Sequence, residues 1–303
     1  MRLLQLIAIV GAAVGLSACS TGLTRMQDTV TKFDQGAHSA GAAQMGFFRQ
    51  VQAAECTRNF YKQAFSFATA QKDPQTHEYP SVPLDLMPSC SPQELTNAQL
   101  EIRQKLMDTI TLYADAIQAL ANGTDDTSLS KTSQALASNI QGLAKQEGFT
   151  AVTATDTAAL NAAVVTITSL ILDHTKYKEV KDAASAVQPQ LTTVVAQLKA
   201  ENLSDAEGLA SKAGSVTNEF STALLSVRDQ RGPASFLYIA QAHITLQSIV
   251  APPPDVAQLN DTLDALVAAN QALAGATNGG AIPEVSDLVS RAQQAVVPFN
   301  ASK

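Results

Sequence analysis

Apolar residues recur with helical spacing along most of the chain, and the clearest pattern covers roughly Thr24 to Lys72. There the apolar positions alternate by steps of three and four, the spacing of helices that pack at a shallow angle. This seam consists of Leu23, Met26, Val30, Phe33, Ala37, Ala40, Gln44, Phe47, Val51 and Ala54. The pattern predicts one long helix whose seam faces a neighbouring helix.

Three glycines, Gly36, Gly41 and Gly46, interrupt this otherwise favourable helical segment. Each costs about 1 kcal/mol of helix stability relative to alanine. We interpret them as places where a neighbouring helix approaches the backbone closely. A kink or break at one of them is the alternative.

The segment 73–92 contains five prolines and predicts an extended loop. Helical spacing then predicts a second helix over about 93–121 and a third from Thr127 or Ser128 to Gly148. Asn122-Gly123 provides the turn between them, and so short a connection makes the two helices antiparallel neighbours.

The second half of the chain predicts further helices separated by breaks or bends. They cover about 155–200 with a bend at Pro189, 204–250 with a break or kink at Gly232-Pro233, the residues after Asp255, and Pro283 to about Val297. Ser204 and Glu207 have the spacing of a capping box, in which each side chain bonds the other residue's free amide. A new helix is therefore predicted to begin at Ser204.

Composition agrees with an all-helical protein. Tryptophan is absent, aromatic residues make up 5 %, and no segment shows the strict alternation of a strand. We predict an all-α, elongated bundle of about seven to nine long antiparallel helices, partly heptad-patterned. Residues 24–303 are predicted to form one domain, with the proline-rich loop at 73–92.

An apolar run from Leu3 to Leu16 follows Arg2 and ends in Leu16-Ser17-Ala18-Cys19. The run is too short for a membrane-spanning helix of about 20 residues. The four-residue sequence resembles the lipobox of bacterial lipoproteins. The resemblance implies a signal peptide over 1–18, a lipidated Cys19 and a short tether over 19–23. It also implies, because Ser20 rather than Asp follows Cys19, the periplasmic face of the outer membrane of a Gram-negative host.

Charge limits the choice of partners. Removal of residues 1–18 leaves 19 basic and 27 acidic residues, a formal charge of −8. Such a chain is unsuited to binding nucleic acid or anionic lipid headgroups by charge. The acyl chains on Cys19 would therefore provide the contact with the membrane, since two or more chains anchor a protein stably.

Two further cysteines, Cys56 and Cys90, are predicted to form a disulfide, because an even pair in an oxidising compartment is usually bonded. Two buried free thiols are the alternative. A zinc site at these cysteines is not predicted, since the chain has no CxxC pattern and no neighbouring histidine.

The remaining candidates for chemistry are weak. No two of the four histidines are three or four residues apart, and His174 and His243 accompany apolar stripes as core residues would. Asp125-Asp126 and Asp261 with Asp264 resemble acidic pairs or calcium ligands, but exposed helix caps and turns explain them better. Arg228 and Arg231 would suit an anionic partner or ligand, or they are solvated at a helix end.

These observations predict no catalytic, metal or cofactor site. The expected function is a lipid-anchored envelope lipoprotein that acts as a structural or protein-interaction module, with an envelope protein or a second copy as partner. The alternative is a bundle that binds a lipid or other apolar molecule in a cleft between helices, lined by Phe47, Phe48, Phe60, Phe65 and Phe67. An enzyme with scattered catalytic residues is a third, less favoured class.

Overall fold

The structure is a computed structural model, and it describes only part of the chain. The backbone is described for residues 2–70, 74–76, 92, 95–123, most of 131–139, 176–231, part of 235–241, 255–276 and 282–300. Within these ranges side chains are described from residue 24 onward, apart from 61, 65, 67–69, 176–179, 209–223, 226, 228–231 and 298–300.

Five long helices account for most of the described residues. They are α1 (Arg2–Thr69), α2 (Asn97–Asn122), α3 (Lys176–Arg231), α4 (Val256–Gly275) and α5 (Pro283–Asn300). Further helical residues lie within 131–139 and 235–241, and the described ranges contain no strand. The predicted all-α class is confirmed.

The heptad seam of α1 faces the protein interior. Seven of its positions from Met26 to Phe47 are buried, whereas Val51 and Ala54 are partly exposed. The helix continues without a break through all three glycines. At Gly36 a Cβ atom would lie 2.6 Å from Leu288 Cγ, so the predicted close approach is confirmed there, with α5 as the neighbour.

The described contacts divide the chain into two compact units, each built from separate segments. Unit 1 comprises Met1–Gln44, Ile102–Lys199 and Ala257–Val296, and unit 2 comprises Met45–Glu101, Ala200–Val256 and Val297–Lys303. Helices α1 and α3 contribute residues to both units. That residues 24–303 form a single domain remains a prediction.

In unit 1, α1 and α2 run antiparallel. Gln27 Nε2 donates to the carbonyl oxygen of Ala121 at 3.2 Å, near the start of the described side chains of α1 and the end of α2. Further along α1, the Cβ position of Gly41 lies 3.4 Å from Thr111 Cγ2. These contacts progress in opposite directions along the two helices, which is the antiparallel arrangement expected for neighbouring helices of a bundle.

In unit 2, polar side chains of α1 hold the chain that leads into α2. Glu55 Oε2 accepts a hydrogen bond from the Leu95 amide at 3.1 Å, and Gln52 Nε2 donates to the Leu95 carbonyl at 3.1 Å. Thr96 and Gln99 then bond each other's amides at 2.8 and 3.2 Å, which is a capping box. Helix α2 therefore begins at Asn97, four residues later than the predicted start.

The boundary predicted at Ser204 is wrong. Helix α3 is continuous from Lys176 to Arg231, with Pro189 inside it, and Ser204 is an exposed residue in its interior. No proline or glycine lies between Pro189 and Ser204, so nothing in the backbone forces the preceding helix to end. The part of the predicted helix before residue 176 lies outside the described residues.

Other helix ends agree with the sequence. Gly123 has a φ of 61°, the left-handed conformation expected of a glycine after a helix. Helix α4 begins directly after Asp255, and α5 begins at Pro283 but extends to Asn300, slightly beyond the predicted end. Among the described residues, no helix combines the length and the hydrophobicity needed to cross a membrane.

Candidate functional site

Several residues singled out in the sequence fall where the structure gives no side chain. Cys19 lies on the backbone of α1, and Arg228 and Arg231 lie in the last turn of α3. The positions outside the described residues are Cys90, the Asp125-Asp126 pair, and His77, His174 and His243. Cys56 is buried in α1 in unit 2. The Cys56–Cys90 disulfide therefore remains a prediction.

Asp261 and Asp264 do not form an acidic pair. Both are exposed residues in the interior of α4, rather than in a cap or a turn. Asp264 forms an ion pair with Lys199 of α3, and Asp261 lies 3.3 Å from Arg291 of α5. Each aspartate is thus paired with a basic residue of a neighbouring helix.

Unit 1 brings together a histidine and two aspartates that the sequence did not connect. Asp34 and His38 are four residues apart on α1, and Asp115 comes from α2. His38 Nε2 lies 2.9 Å from Asp115 Oδ1 and 3.6 Å from Asp34 Oδ1. One potential ligand atom from each residue lies within 4.8 Å of the others. We call these three residues the Asp34–His38–Asp115 cluster.

The cluster lies at the protein surface but extends inward. The side chains of His38 and Asp115 are 49 % and 38 % exposed, whereas that of Asp34 is only 13 % exposed. Oδ1 of Asp34 is buried and has no hydrogen-bond partner. The His38 imidazole and the Asp115 carboxylate are thus partly exposed to solvent, whereas the Asp34 Oδ1 atom beneath them is buried and accepts no hydrogen bond.

Burial controls the electrostatics of Asp34. The pKa of this carboxyl is raised from 3.8 to about 6, chiefly because burial removes its solvation. The charge of His38 opposes the increase, whereas the nearby charge of Asp115 and a hydrogen bond to that residue contribute to it. Two carboxylates so close together would repel each other at neutral pH, and a cation between them would relieve that repulsion.

The helices next to the cluster are closely packed. Gly36, which lies between Asp34 and His38, allows α5 to approach α1, since a side chain there would collide with Leu288. The buried rings of Phe33 and Tyr113 meet edge to face with centroids 6.2 Å apart. This contact packs α1 against α2 next to the cluster.

A second polar group in unit 1 is buried and has a structural role. The Tyr113 hydroxyl donates to Asn270 Oδ1, and Asn270 Nδ2 donates to the Ala184 carbonyl at 3.0 Å and to Gln188 Oε1 at 2.7 Å. Burial raises the pKa of Tyr113 far above its usual value, so the hydroxyl stays protonated and remains a donor. These bonds join α2, α3 and α4.

The aromatic residues proposed to line an apolar cleft are buried where they are described. Phe47, Phe48 and Phe60 are almost completely inaccessible to solvent, and the first two rings are 6.0 Å apart. The side chains of Phe65 and Phe67 lie outside the described residues. Packing within unit 2 accounts for the three described rings.

The sequence did contain one signal for the cluster. Asp34 and His38 have the four-residue spacing that puts two side chains on one helical face, a signal that the spacing of histidines alone does not contain. Asp115 is 77 residues from His38 and carried no comparable signal.

Comparison of the whole chain with protein-family profiles, curated proteins and solved structures finds no match.

Proposed function

We propose that this protein is a lipid-anchored envelope lipoprotein whose helical body acts as a non-enzymatic structural or interaction module. The observation that carries the proposal is the sequence Leu16-Ser17-Ala18-Cys19 after an apolar run. Acylation of Cys19 would hold the body at the periplasmic face of the outer membrane. The partner would be another envelope protein or a second copy of the chain.

The arrangement of polar groups supports a structural role. The Tyr113, Asn270 and Gln188 side chains in the interior of unit 1 bond one another and the backbone, so these bonds are used to position helices. Asp261 and Asp264 are engaged with basic residues of neighbouring helices. None of these groups is placed as a nucleophile beside a base, the arrangement that covalent catalysis requires.

A partner surface is best sought in unit 2. There Leu203 and Leu225 of α3 are each more than half exposed, as are Leu237 and Val297. Singly exposed apolar residues are common on proteins, so they serve here as positions for an experiment. The described aromatic residues are packed in the interior, and no observation favours the apolar-ligand alternative over the interaction module.

Fractionation of cell membranes tests the anchor. The native chain should incorporate fatty acid and sediment with the outer membrane, and Cys19→Ser should abolish both properties. Ser20→Asp should keep the acylation but move the protein to the inner membrane. A native chain without fatty acid on Cys19 would contradict the anchor, whatever its partners.

Site-specific crosslinking tests the interaction. A photo-reactive amino acid at Leu203 should give a discrete adduct with one protein, whereas the same group at exposed Ser185 on the same helix serves as the matched control. Native mass spectrometry of the detergent extract should show the same companion. A lone chain that carries a small apolar molecule would favour the ligand-binding alternative instead.

A further inference from the structure

The Asp34–His38–Asp115 cluster has the residues and the spacing of a metal site. From this geometry we infer that the cluster binds a divalent transition-metal ion, best represented by Zn²⁺, and that the ion links α1 to α2 within unit 1. His38 would bind through Nε2, and each aspartate would bind through one carboxylate oxygen. The inference is independent of the lipid anchor.

The distances agree with tetrahedral coordination. Zinc bonds to nitrogen and oxygen are about 2.0–2.1 Å long, which places neighbouring ligand atoms of a tetrahedron about 3.3 Å apart. Nε2 of His38 lies 2.9 and 3.6 Å from the two aspartate oxygens, so these separations bracket that value. The two aspartate oxygens lie within 4.8 Å of each other, so side-chain adjustment within that distance would place all three ligand atoms around one ion.

A buried oxygen without a partner provides a separate reason. Oδ1 of Asp34 is buried, receives no hydrogen bond and faces the imidazole of His38. Burying a polar atom without a partner is unfavourable, and buried charges are normally paired or bound to a metal. An ion at the centre of the cluster would satisfy this oxygen.

The mixture of ligands selects the kind of ion. An imidazole nitrogen suits zinc, copper, iron or nickel, whereas calcium and magnesium prefer all-oxygen sites. The ring would bind as the neutral tautomer that carries its proton on Nδ1 and presents the Nε2 lone pair to the ion, with any proton on Nε2 released to solvent. Three protein ligands leave a fourth position for water, which the exposure of His38 and Asp115 makes accessible.

Calorimetric titration of the full chain in mild detergent with ZnCl₂ tests the site. We expect one ion per chain, with affinity lowered about tenfold or more in His38→Gln and in Asp115→Asn. Asp261→Asn is the matched control, because it removes an exposed carboxylate of unit 1 that lies outside the cluster. Equal affinity in the native chain and in His38→Gln would overturn the assignment.

Two further measurements distinguish this site from other zinc-binding groups. Zinc should raise the thermal unfolding midpoint of the native chain, whereas equal concentrations of Ca²⁺ or Mg²⁺ should not. X-ray absorption of the zinc-loaded native chain should show nitrogen and oxygen ligands only, a result that does not depend on any variant folding. Sulfur ligands would assign the zinc to cysteines, and an equal effect of calcium would refute a transition-metal site.

Discussion

The contact between Gly36 and Leu288 leaves no room for even a methyl group on this face of α1. A Cβ atom at position 36 would lie 2.6 Å from Cγ and 2.8 Å from Cδ2 of Leu288. Leu288 is itself fully buried, so it cannot move aside into solvent. The close packing that glycine allows here therefore contributes more to stability than its low helix propensity costs.

We predict that Gly36→Ala destabilises the protein. Overpacking of this kind costs about 1–3 kcal/mol, which exceeds the gain of about 1 kcal/mol in helix propensity. Urea unfolding, monitored by hydrogen exchange of the amides of unit 1, measures the change in the free energy of unfolding.

Gly208→Ala is the control for this prediction. Gly208 lies inside α3, and apart from its own stretch of helix no atom lies within 4 Å of its Cβ position. The same substitution should stabilise there by about 0.5–1 kcal/mol, since only helix propensity changes. Stabilisation by both substitutions would contradict the packing argument.

The hydrogen bonds of Asn270 connect three helices through one residue. Tyr113→Phe should cost about 1–2 kcal/mol, because Asn270 Oδ1 loses its buried donor. Asn270→Ala should cost more, since it also leaves Gln188 Oε1 without that donor. Denaturant unfolding of both single variants provides these values.

The double variant Tyr113→Phe/Asn270→Ala tests the coupling. Because both substitutions remove the same bond, the double variant should be less destabilised than the sum of the single variants. Strict additivity would mean that the two residues act independently, contrary to the described contact.

Among helices, two segments with the same local pattern behave differently. Thr96-Asn97-Ala98-Gln99 and Ser204-Asp205-Ala206-Glu207 both have the spacing of a capping box. Only the first begins a helix, because Leu95 and Thr96 lie outside any helix and the Leu95 amide bonds Glu55 of α1 instead of a preceding helical turn. At Ser204 the preceding turns are already helical, and the backbone bonds of α3 continue through the motif.

Alanine should therefore destabilise the protein at position 96 but not at position 204. Thr96→Ala should cost about 1 kcal/mol and speed hydrogen exchange in the first turn of α2, because the Gln99 amide loses its acceptor. Ser204→Ala should leave stability unchanged or raise it slightly, as expected in a helix interior. A comparable loss at Ser204 would show that a helix begins there after all.

Local patterns predicted the helical elements better than their partners. The heptad of α1 correctly gave its buried face from Met26 to Phe47, because burial repeats with the helical period. The same helical period places Asp34 and His38, two of the three residues of the Asp34–His38–Asp115 cluster, on one face of α1. It did not give Asp115, since periodicity marks which face is buried and not which helix covers it.

For the whole molecule, the division into two units cannot be predicted from the sequence of any one segment. Helices α1 and α3 run uninterrupted across the unit boundaries at Gln44 and Lys199, where the sequence shows no proline, glycine pair or change in composition. The boundary depends on which distant segments pack together. Such contacts between residues far apart in the chain cannot be read from spacing alone.

Cys56 and Cys90 both belong to unit 2, so their predicted disulfide would act within that unit. It would close a loop of the covalent chain that contains most of the proline-rich segment. On the chain-entropy account, a bridge of this span stabilises by about 3–4 kcal/mol. Reduction should therefore lower the unfolding midpoint of unit 2 in the native chain and have no effect on a Cys56→Ala/Cys90→Ala variant.

Alkylation of the denatured, unreduced protein provides the direct measurement of the disulfide. Neither cysteine should react before reduction and both should react after it, and labelling of both before reduction would establish two free thiols.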